Sequence, residues 1–353
     1  MSDFEEYIRE SEPHKREKGY AWQTAIGLQA VDGLKPSEYL IETARQHIEG
    51  DITIEEAQKL IKSYYQSKDV RTNDADETEE ADKASVNIAK LLSEKAFAFS
   101  LVGLTSIHKH IFQDVFKFAG KIRDYNITKK EWVLRGDTVL YVSAPDIRPA
   151  IEHDLEREKE FDYTSLSMPE VITHLTKFAS GLWQIHPFGE GNTRTIAVFT
   201  IQYLRSMGFN VENDLFSKHS WYFRNALVRA NYQNIQLGVK HNPEYLEQFF
   251  RNLLMDEKNE LKNRYLIIPE QGDSQSLTED ISKSQIDTLK CTLEEESLFN
   301  CFQTNPHIKQ QEAADQLGKS LSTIKRLTAD LISKGLLERK NGKRDGFWEV
   351  KKS

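Results

Sequence analysis

Residues 186–195 read HPFGEGNTRT, a run placed between two apolar helical stretches. Gly and Pro at this density commonly mark a turn joining helices and nothing more. Yet His186, Glu190, Asn192 and Arg194 share the same ten positions. The string follows an apolar helical pattern at 170–185 and precedes IAVFTIQYL (196–204), so Asn192, Thr193 and Arg194 fall in the first turn of a helix. Free N–H groups point outward there, and the helix dipole favours an anion. Gly189 and Gly191 allow the backbone to form an anion-cradling nest, to which Arg194 adds a guanidinium. Glu190 is the one carboxylate, and a carboxylate beside phosphates points to Mg²⁺. His186 stands at the rim as a candidate general base for a hydroxyl. Together these parts suit phosphoryl or nucleotidyl transfer, which depends on positioning and charge neutralisation.

Outward from this loop the pattern is mainly helical. Residues 84–118 carry apolar positions at three- and four-residue intervals, which predicts two helices. Further helices are expected at 145–159, 170–185, 195–207, 220–230 and 243–265. The segments EWVL and VLYVS, separated by Arg135-Gly136-Asp137-Thr138, predict one β-hairpin at 132–142. Before this core, residues 1–20 are polar and expected to fray or lie on the surface, and three short helices follow within 22–65. The first of these stops at Asp32-Gly33, the second opens at Pro36-Ser37, and the third opens on a Thr53 capping box. The charged run KDVRTNDADETEEADK (68–83) reads as an acidic linker or exposed loop. After Pro269 a polar stretch leads to helix (294–302), helix (309–318), helix (321–336) and a basic hairpin near Asn341-Gly342, the order of a winged helix-turn-helix. From Thr304 to Ser353 there are 11 Lys/Arg and 6 Asp/Glu, a net of +5 within a chain of −8. The expected division is 1–67, 68–83, 84–268 and 285–353.

Composition narrows the class. The chain has 353 residues, with 39% hydrophobic and 29% charged, as in a soluble protein of two or three domains. Its net charge argues against a protein that coats nucleic acid over its whole surface. Cys291 and Cys301 are too few for a disulfide framework or a zinc site. The charged first 20 residues lack the apolar core of a secretory signal, and no apolar run reaches bilayer length, so a cytoplasmic location and no membrane contact are expected.

With these residues in view, the loop resembles the signature of the Fic (filamentation induced by cAMP) family, His-x-Phe-x-(Asp/Glu)-Gly-Asn-Gly-Arg-x-x-Arg. His186, Phe188, Glu190, Gly191, Asn192 and Arg194 match in order and spacing, and the likeness extends over about 90–255. The resemblance implies a mainly α Fic-type bundle with a hairpin flap that holds a target segment by strand addition. By the same resemblance His186 deprotonates a Ser, Thr or Tyr hydroxyl of a target protein, which can be the chain itself. Glu190 binds the Mg²⁺ that bridges the α- and β-phosphates. The Gly191-Asn192-Thr193 backbone and the Asn192 side chain form an anion hole with Gly189 beside it, and Arg194 contacts phosphate. The implied outcome is transfer of AMP from ATP. Two departures bear on the donor: Thr193 replaces the usual Gly, expected to narrow the nest, and Ala197 replaces the second Arg, which would hold the γ-phosphate. ATP, another nucleotide, and transfer of AMP or of phosphate all stay open.

The N-terminal helices resemble the antitoxin-like segments that accompany some Fic domains, whose (Ser/Thr)-x-x-x-Glu-(Gly/Asn) string blocks the γ-phosphate site through the second Arg. Here the string ends Asp32-Gly33, with Leu28 for Ser/Thr and Ala197 for the Arg partner. Asp32 is therefore a candidate regulatory residue within a segment expected to be structural or weakly regulatory. His108 and His110, at i, i+2, face different sides of a helix and are not expected to share a metal. His174 and Trp183 read as packing residues, while Tyr222 and Asn231 are candidates near a nucleotide base. Lys325, Arg326, Arg339, Lys340, Lys343 and Arg344 are candidate contacts to duplex DNA, the alternative being that the winged helix docks protein or forms a homodimer. The rival function is a DNA-binding regulator whose Fic core is a nucleotide sensor or inactive scaffold.

Overall fold

The computed structural model describes residues 4–9, 12–67, 73–211, 214–269, 298–299, 301–303, 305–317, 320–333, 335–340 and 347–350. The chain divides into two compact units, Met1–Glu270 and Gln271–Ser353.

In the first unit, α1 (Glu5–Arg9) and α2 (Pro13–Gly27) precede a 3₁₀ turn at Leu28–Asp32 that closes on Gly33. Of 1–20, expected to fray or lie on the surface, Glu12, Pro13, His14, Arg16 and Glu17 are exposed, but 5–9 and 13–20 are helical and partly packed. Phe4 and Tyr7 are buried, and α2 begins at Pro13, a residue suited to a first helical turn because its missing N–H would be unpaired there. Next come α3 (Glu38–Glu49), capped by Ser37 accepting from the Leu40 N–H at 3.1 Å, and α4 (Ile54–Gln66), opened by the Thr53–Glu56 capping box.

The expected linker is also corrected over its second half. Residues 73–83 form the start of α5 (Asn73–Ser93), and Ala81, Asp82 and Ala84 are fully buried; residues 68–72 lie outside the described set. The charges that suggested solvent have partners within the fold. Asp82 accepts from Tyr65 Oη at 2.7 Å and from the Ser37 N–H at 2.8 Å. α2 packs on α5, so the N-terminal helices and the core share one hydrophobic interior.

The core continues through α6 (Leu101–Phe112), α7 (Ile147–Lys159), α8 (Met168–Ile185), α9 (Asn192–Ser206), the single turn α10 (Leu215–Lys218), α11 (Ser220–Asn231) and α12 (Glu244–Met255). The last stops ten residues short of its expected end, on Asp256 in the left-handed region (φ 53°). α9 is buried at every position from Asn192 to Leu204, so it is the axis on which the other helices pack.

The hairpin expected at 132–142 does not form a ladder. Trp132–Leu134 make a 3₁₀ turn, Arg135 and Gly136 take positive φ, and the flanking residues, Glu131 extended, have no strand pairing. The reversal is held by the Glu131 N–H donating to Asp137 O at 2.9 Å and the Gly136 N–H to Glu131 O at 3.0 Å. Glu131, fully buried, fixes this segment to α11 through Arg224 at 2.8 Å. The buried ion pair replaces the cross-strand bonds that β-branched residues had suggested.

In the second unit, α13 (Gln310–Leu317), α14 (Leu321–Ser333) and helical backbone at 298–299 and 301–303 surround a core of Leu298, Phe302, Ile324, Leu327, Leu331 and Trp348. Strands β1 (Leu337–Lys340) and β2 (Phe347–Val350) pair antiparallel, Leu337 opposite Val350 and Lys340 opposite Phe347. The Asn341-Gly342 tip, Lys343 and Arg344 lie outside the described residues. Among the described residues no helix is long and apolar enough to cross a membrane.

Candidate active site

α8 ends one residue before His186. His186 takes a left-handed conformation (φ 52°, ψ 60°), and its N–H donates to Trp183 O at 3.1 Å. An L-residue adopts that region at a cost, so its surroundings must hold it there. Arg123 does so: its Nε donates to His186 O at 2.8 Å, its backbone N–H to Pro187 O at 2.9 Å, and Nη1 to Tyr125 O at 2.6 Å. The His186 ring is 3% exposed, lies 4.2 Å from the Tyr141 ring, and has Trp183 edge-on. Neither ring nitrogen has a hydrogen-bond partner among the described residues. Burial, then the nearby cations Lys129, Arg224 and Arg123, hold its pKa well below the ordinary histidine value. The imidazole is uncharged at neutral pH, as a general base must be.

The loop is pinned from below. Phe188 stacks on His108 with ring centroids 3.8 Å apart. The Gly120 N–H donates to His108 Nδ1 at 2.8 Å, which leaves the proton on Nε2 to reach Glu190 O at 3.0 Å. Burial lowers the His108 pKa to about 4, consistent with this neutral form. Asn192, expected to present its side chain to an anion, instead bonds the Phe188 backbone in both directions, accepting at 2.9 Å and donating at 2.8 Å. Any anion contribution from Asn192 is left to its backbone at the start of α9.

Gly191 is required sterically. Its φ is 75°, and a Cβ there would lie 2.3 Å from the Phe112 ring. The next departure from the family pattern has a local explanation. Thr193 Oγ1 accepts from Trp183 Nε1 at 3.0 Å inside the core, so its hydroxyl is held against α8. Ala197 is fully buried in the second turn of α9.

Both charged side chains of the loop are already engaged. Lys129 Nζ bridges the Glu190 carboxylate, 3.0 Å from Oε1 and 3.1 Å from Oε2, and the Gly191 N–H adds a bond at 3.1 Å. Burial pushes the Glu190 pKa up, but Lys129, the Gly191 N–H and Arg194 together outweigh it and hold it below the ordinary value. Arg194 is fully buried beneath the N-terminal helices. Its Nε lies 2.8 Å from Asp32 Oδ2, off hydrogen-bond alignment; Nη2 donates to Glu80 at 2.6 Å and Nη1 to Gln29 at 2.9 Å; Phe112 covers its face at 4.7 Å. Asp32 thus finds a partner in the first motif arginine, although the position of the second is alanine.

As a metal site this is a single carboxylate. Among the described residues no group of three or more His, Cys, Asp or Glu is placed to hold an ion. That donor set suits Mg²⁺, which keeps its waters and binds through one or two carboxylates plus substrate phosphates, and does not suit a closed protein cage.

Other candidates fall elsewhere. His110 is exposed beside Ser106, and His174 pairs with buried Glu158 at 2.6 Å. Tyr222 Oη reaches Tyr245 O at 3.2 Å, and Asn231 bonds Ser180 O at 2.9 Å; both sets of bonds join helices. In the second unit Lys325 and Arg326 are exposed on α14, Arg326 lying 3.5 Å from Asp330. Arg339 covers the Trp348 ring at 4.5 Å, and Lys340 pairs with Glu338 at 2.7 Å and Glu349 at 3.5 Å. Sequence reasoning missed Lys129, Arg123, His108, Tyr141 and Glu80. Only Tyr141 carried a signal, as an aromatic within the predicted flap.

Residues 98–204 match the Fic/DOC family, and residues 297–338 match winged helix-turn-helix DNA-binding domains. A curated relative, the protein adenylyltransferase VbhT of Bartonella schoenbuchensis, is 27% identical over 168 residues, or 48% of this chain and 34% of that relative. The match thus spans about a third of the relative's length. Among solved structures, a Fic family protein from Desulfovibrio desulfuricans G20 is 12% identical, with 100% of this chain and 94% of the other covered and a TM-score of 0.46. The N-terminal Fic domain of a Bartonella quintana Bep effector with bound ADP is 20% identical, covers 52% of this chain and 87% of its own, and has a TM-score of 0.42. By the two family matches, residues 98–204, which contain the His186–Arg194 loop, are a Fic domain, and residues 297–338 a winged helix-turn-helix domain.

Proposed function

We propose that the chain transfers the nucleoside monophosphate of a Mg²⁺-bound triphosphate, AMP when the donor is ATP, to a Ser, Thr or Tyr hydroxyl of a protein. The observation that carries this reading is the buried, uncharged and unpartnered His186, set in the same loop as a lone carboxylate and a helix N-terminus. His186 accepts the hydroxyl proton as the oxygen attacks the α-phosphorus. The new phosphorus–oxygen bond forms as the α–β bridge breaks, and pyrophosphate leaves. Glu190 would hold Mg²⁺, which neutralises phosphate charge when bound. The first-turn N–H groups of α9 receive phosphate oxygens. Because the Tyr141 ring lies 4.2 Å from that of His186, the incoming hydroxyl must take the place of that ring, and residues 138–142 are the segment that would meet the target. The target can be another protein or the chain itself.

The test is incubation with each of the four ribonucleoside triphosphates, labelled at the α- or γ-phosphate, with Mg²⁺ and lysate. We expect α-label on protein with wild type and none with His186→Ala. Labelling from the γ-phosphate alone would replace AMP transfer with phosphorylation, and no His186-dependent label from any donor would end the transferase reading.

A second reading is favoured by the winged helix match and by the exposed Lys325 and Arg326: the chain is a DNA-binding regulator whose Fic domain senses nucleotide.

A further inference from the structure

Arg194 cannot serve phosphate while Asp32, Glu80 and Gln29 hold it, and Ala197 brings no charge to the second turn of α9. One cation nevertheless sits at the edge of the nest. Lys129 comes from the segment before the Trp132–Leu134 turn, and its ammonium bridges both oxygens of Glu190. The Gly191 N–H at the start of the nest binds the same carboxylate, so the ammonium lies across one carboxylate from the N–H that opens the nest.

A divalent ion on either oxygen of Glu190 breaks one arm of the ammonium bridge and repels the ammonium at close range, so the two cations compete for the carboxylate. Lys129 also retains about a quarter of its side-chain exposure (27%), and Glu190 42%, so the pair can open into solvent. Lysine is suited to such an exchange, being a compact point charge on a flexible stem.

We propose that Lys129 is a donor-binding residue, parked on Glu190 in the nucleotide-free protein and moved to a donor phosphate when Glu190 takes up the metal. The inference rests on the nucleotide-transfer reading of the same loop.

It requires two effects of opposite sign from one substitution. The experiment compares wild type, Lys129→Met and Lys129→Arg, full length. Mn²⁺ alone is titrated by its electron paramagnetic resonance signal. The same four triphosphates are titrated calorimetrically at saturating Mg²⁺. In Lys129→Met we expect tighter binding of Mn²⁺, because the carboxylate is freed, and about tenfold weaker binding of the triphosphate, the worth of one charge-assisted contact. Lys129→Arg should keep most of the triphosphate affinity. Loss of both affinities marks a merely structural lysine and overturns the proposal, as does triphosphate binding unchanged in Lys129→Met. Glu190→Gln separates the two levels of argument. If wild type binds Mg²⁺-triphosphate and Glu190→Gln does not, a null result for Lys129 defeats only this inference. If wild type binds none of the triphosphates, the transfer reading fails and this inference falls with it.

Discussion

His186 owes its uncharged state to the place where α8 stops. One left-handed residue turns the ring under Tyr141 and into the interior, and burial does the rest. Trp183, one turn earlier, ties that position to the nest by donating to Thr193. Removing the acceptor leaves an indole N–H buried and unpaired, so Thr193→Val is expected to lower stability by about 1–3 kcal/mol, read as a shift in the urea midpoint. A second histidine sets an acid limit remote from the loop. Trp22 Nε1 donates to His47 Nδ1 at 2.9 Å, which requires an unprotonated acceptor, and burial with Lys18 lowers the His47 pKa to about 4, Glu55 opposing. The unfolded chain binds that proton near pH 6.5 and the folded chain does not. Stability from this residue is therefore complete above that pH and is lost as pH falls toward 4, by on the order of 1–2 kcal/mol after solvent screening. Urea midpoints at pH 7.5 and pH 4.5 should show that loss in wild type and a smaller one in His47→Gln.

At the scale of elements, the N-terminal helices do more than cover the core. The turn after α2 brings Gln29 and Asp32, and α5 brings Glu80, so two carboxylates answer one buried guanidinium. Asp32→Asn with Glu80→Gln is expected to destabilise the fold by about 3 kcal/mol, since it leaves a buried cation short of its partners. The same double variant is expected to bind Mg²⁺-triphosphate more tightly, because Arg194 becomes free to meet phosphate. Calorimetry beside urea unfolding checks the opposed signs, and equal or weaker binding would leave the two acids a purely structural role. The helices were legible because their apolar spacing and caps are local signals: Ser37, Thr53 and the Gly residues at 33 and 50 mark ends that the structure keeps. Residues 73–83 and 132–142 misled for a shared reason. Their charges and β-branched residues are satisfied by partners distant in the chain, Glu80 by Arg194 and Glu131 by Arg224, and no local pattern reports such pairing. The motif loop announced His186, Glu190 and Arg194 by type and spacing. The side chains that restrain them, Lys129, His108 and Asp32, come from three other segments.

Across the whole molecule, charge is distributed unevenly. The chain totals −8 while its last fifty residues total +5 (11 − 6). If the second unit binds duplex DNA, affinity should fall steeply with salt. Lys325→Ala with Arg326→Ala should then weaken binding and lower the slope by about 1 for each phosphate left without its cation. Electrophoretic mobility shift over a salt series measures both, and absent or salt-insensitive binding would leave the winged helix a protein-docking module. Arg339, laid on Trp348, and Lys340, paired across the strands, are expected to contribute less than the α14 residues.

The acids around Arg194 are covalently part of the chain they restrain. Their local concentration is set by folding and does not change when the protein is diluted, whereas a restraining helix supplied as a separate polypeptide dissociates on dilution. A phosphate group approaching Arg194 thus competes with tethered rivals, whose effective concentrations are typically in the millimolar range even on flexible linkers. Release would then track how much nucleotide is present, and be indifferent to how much of this protein is made.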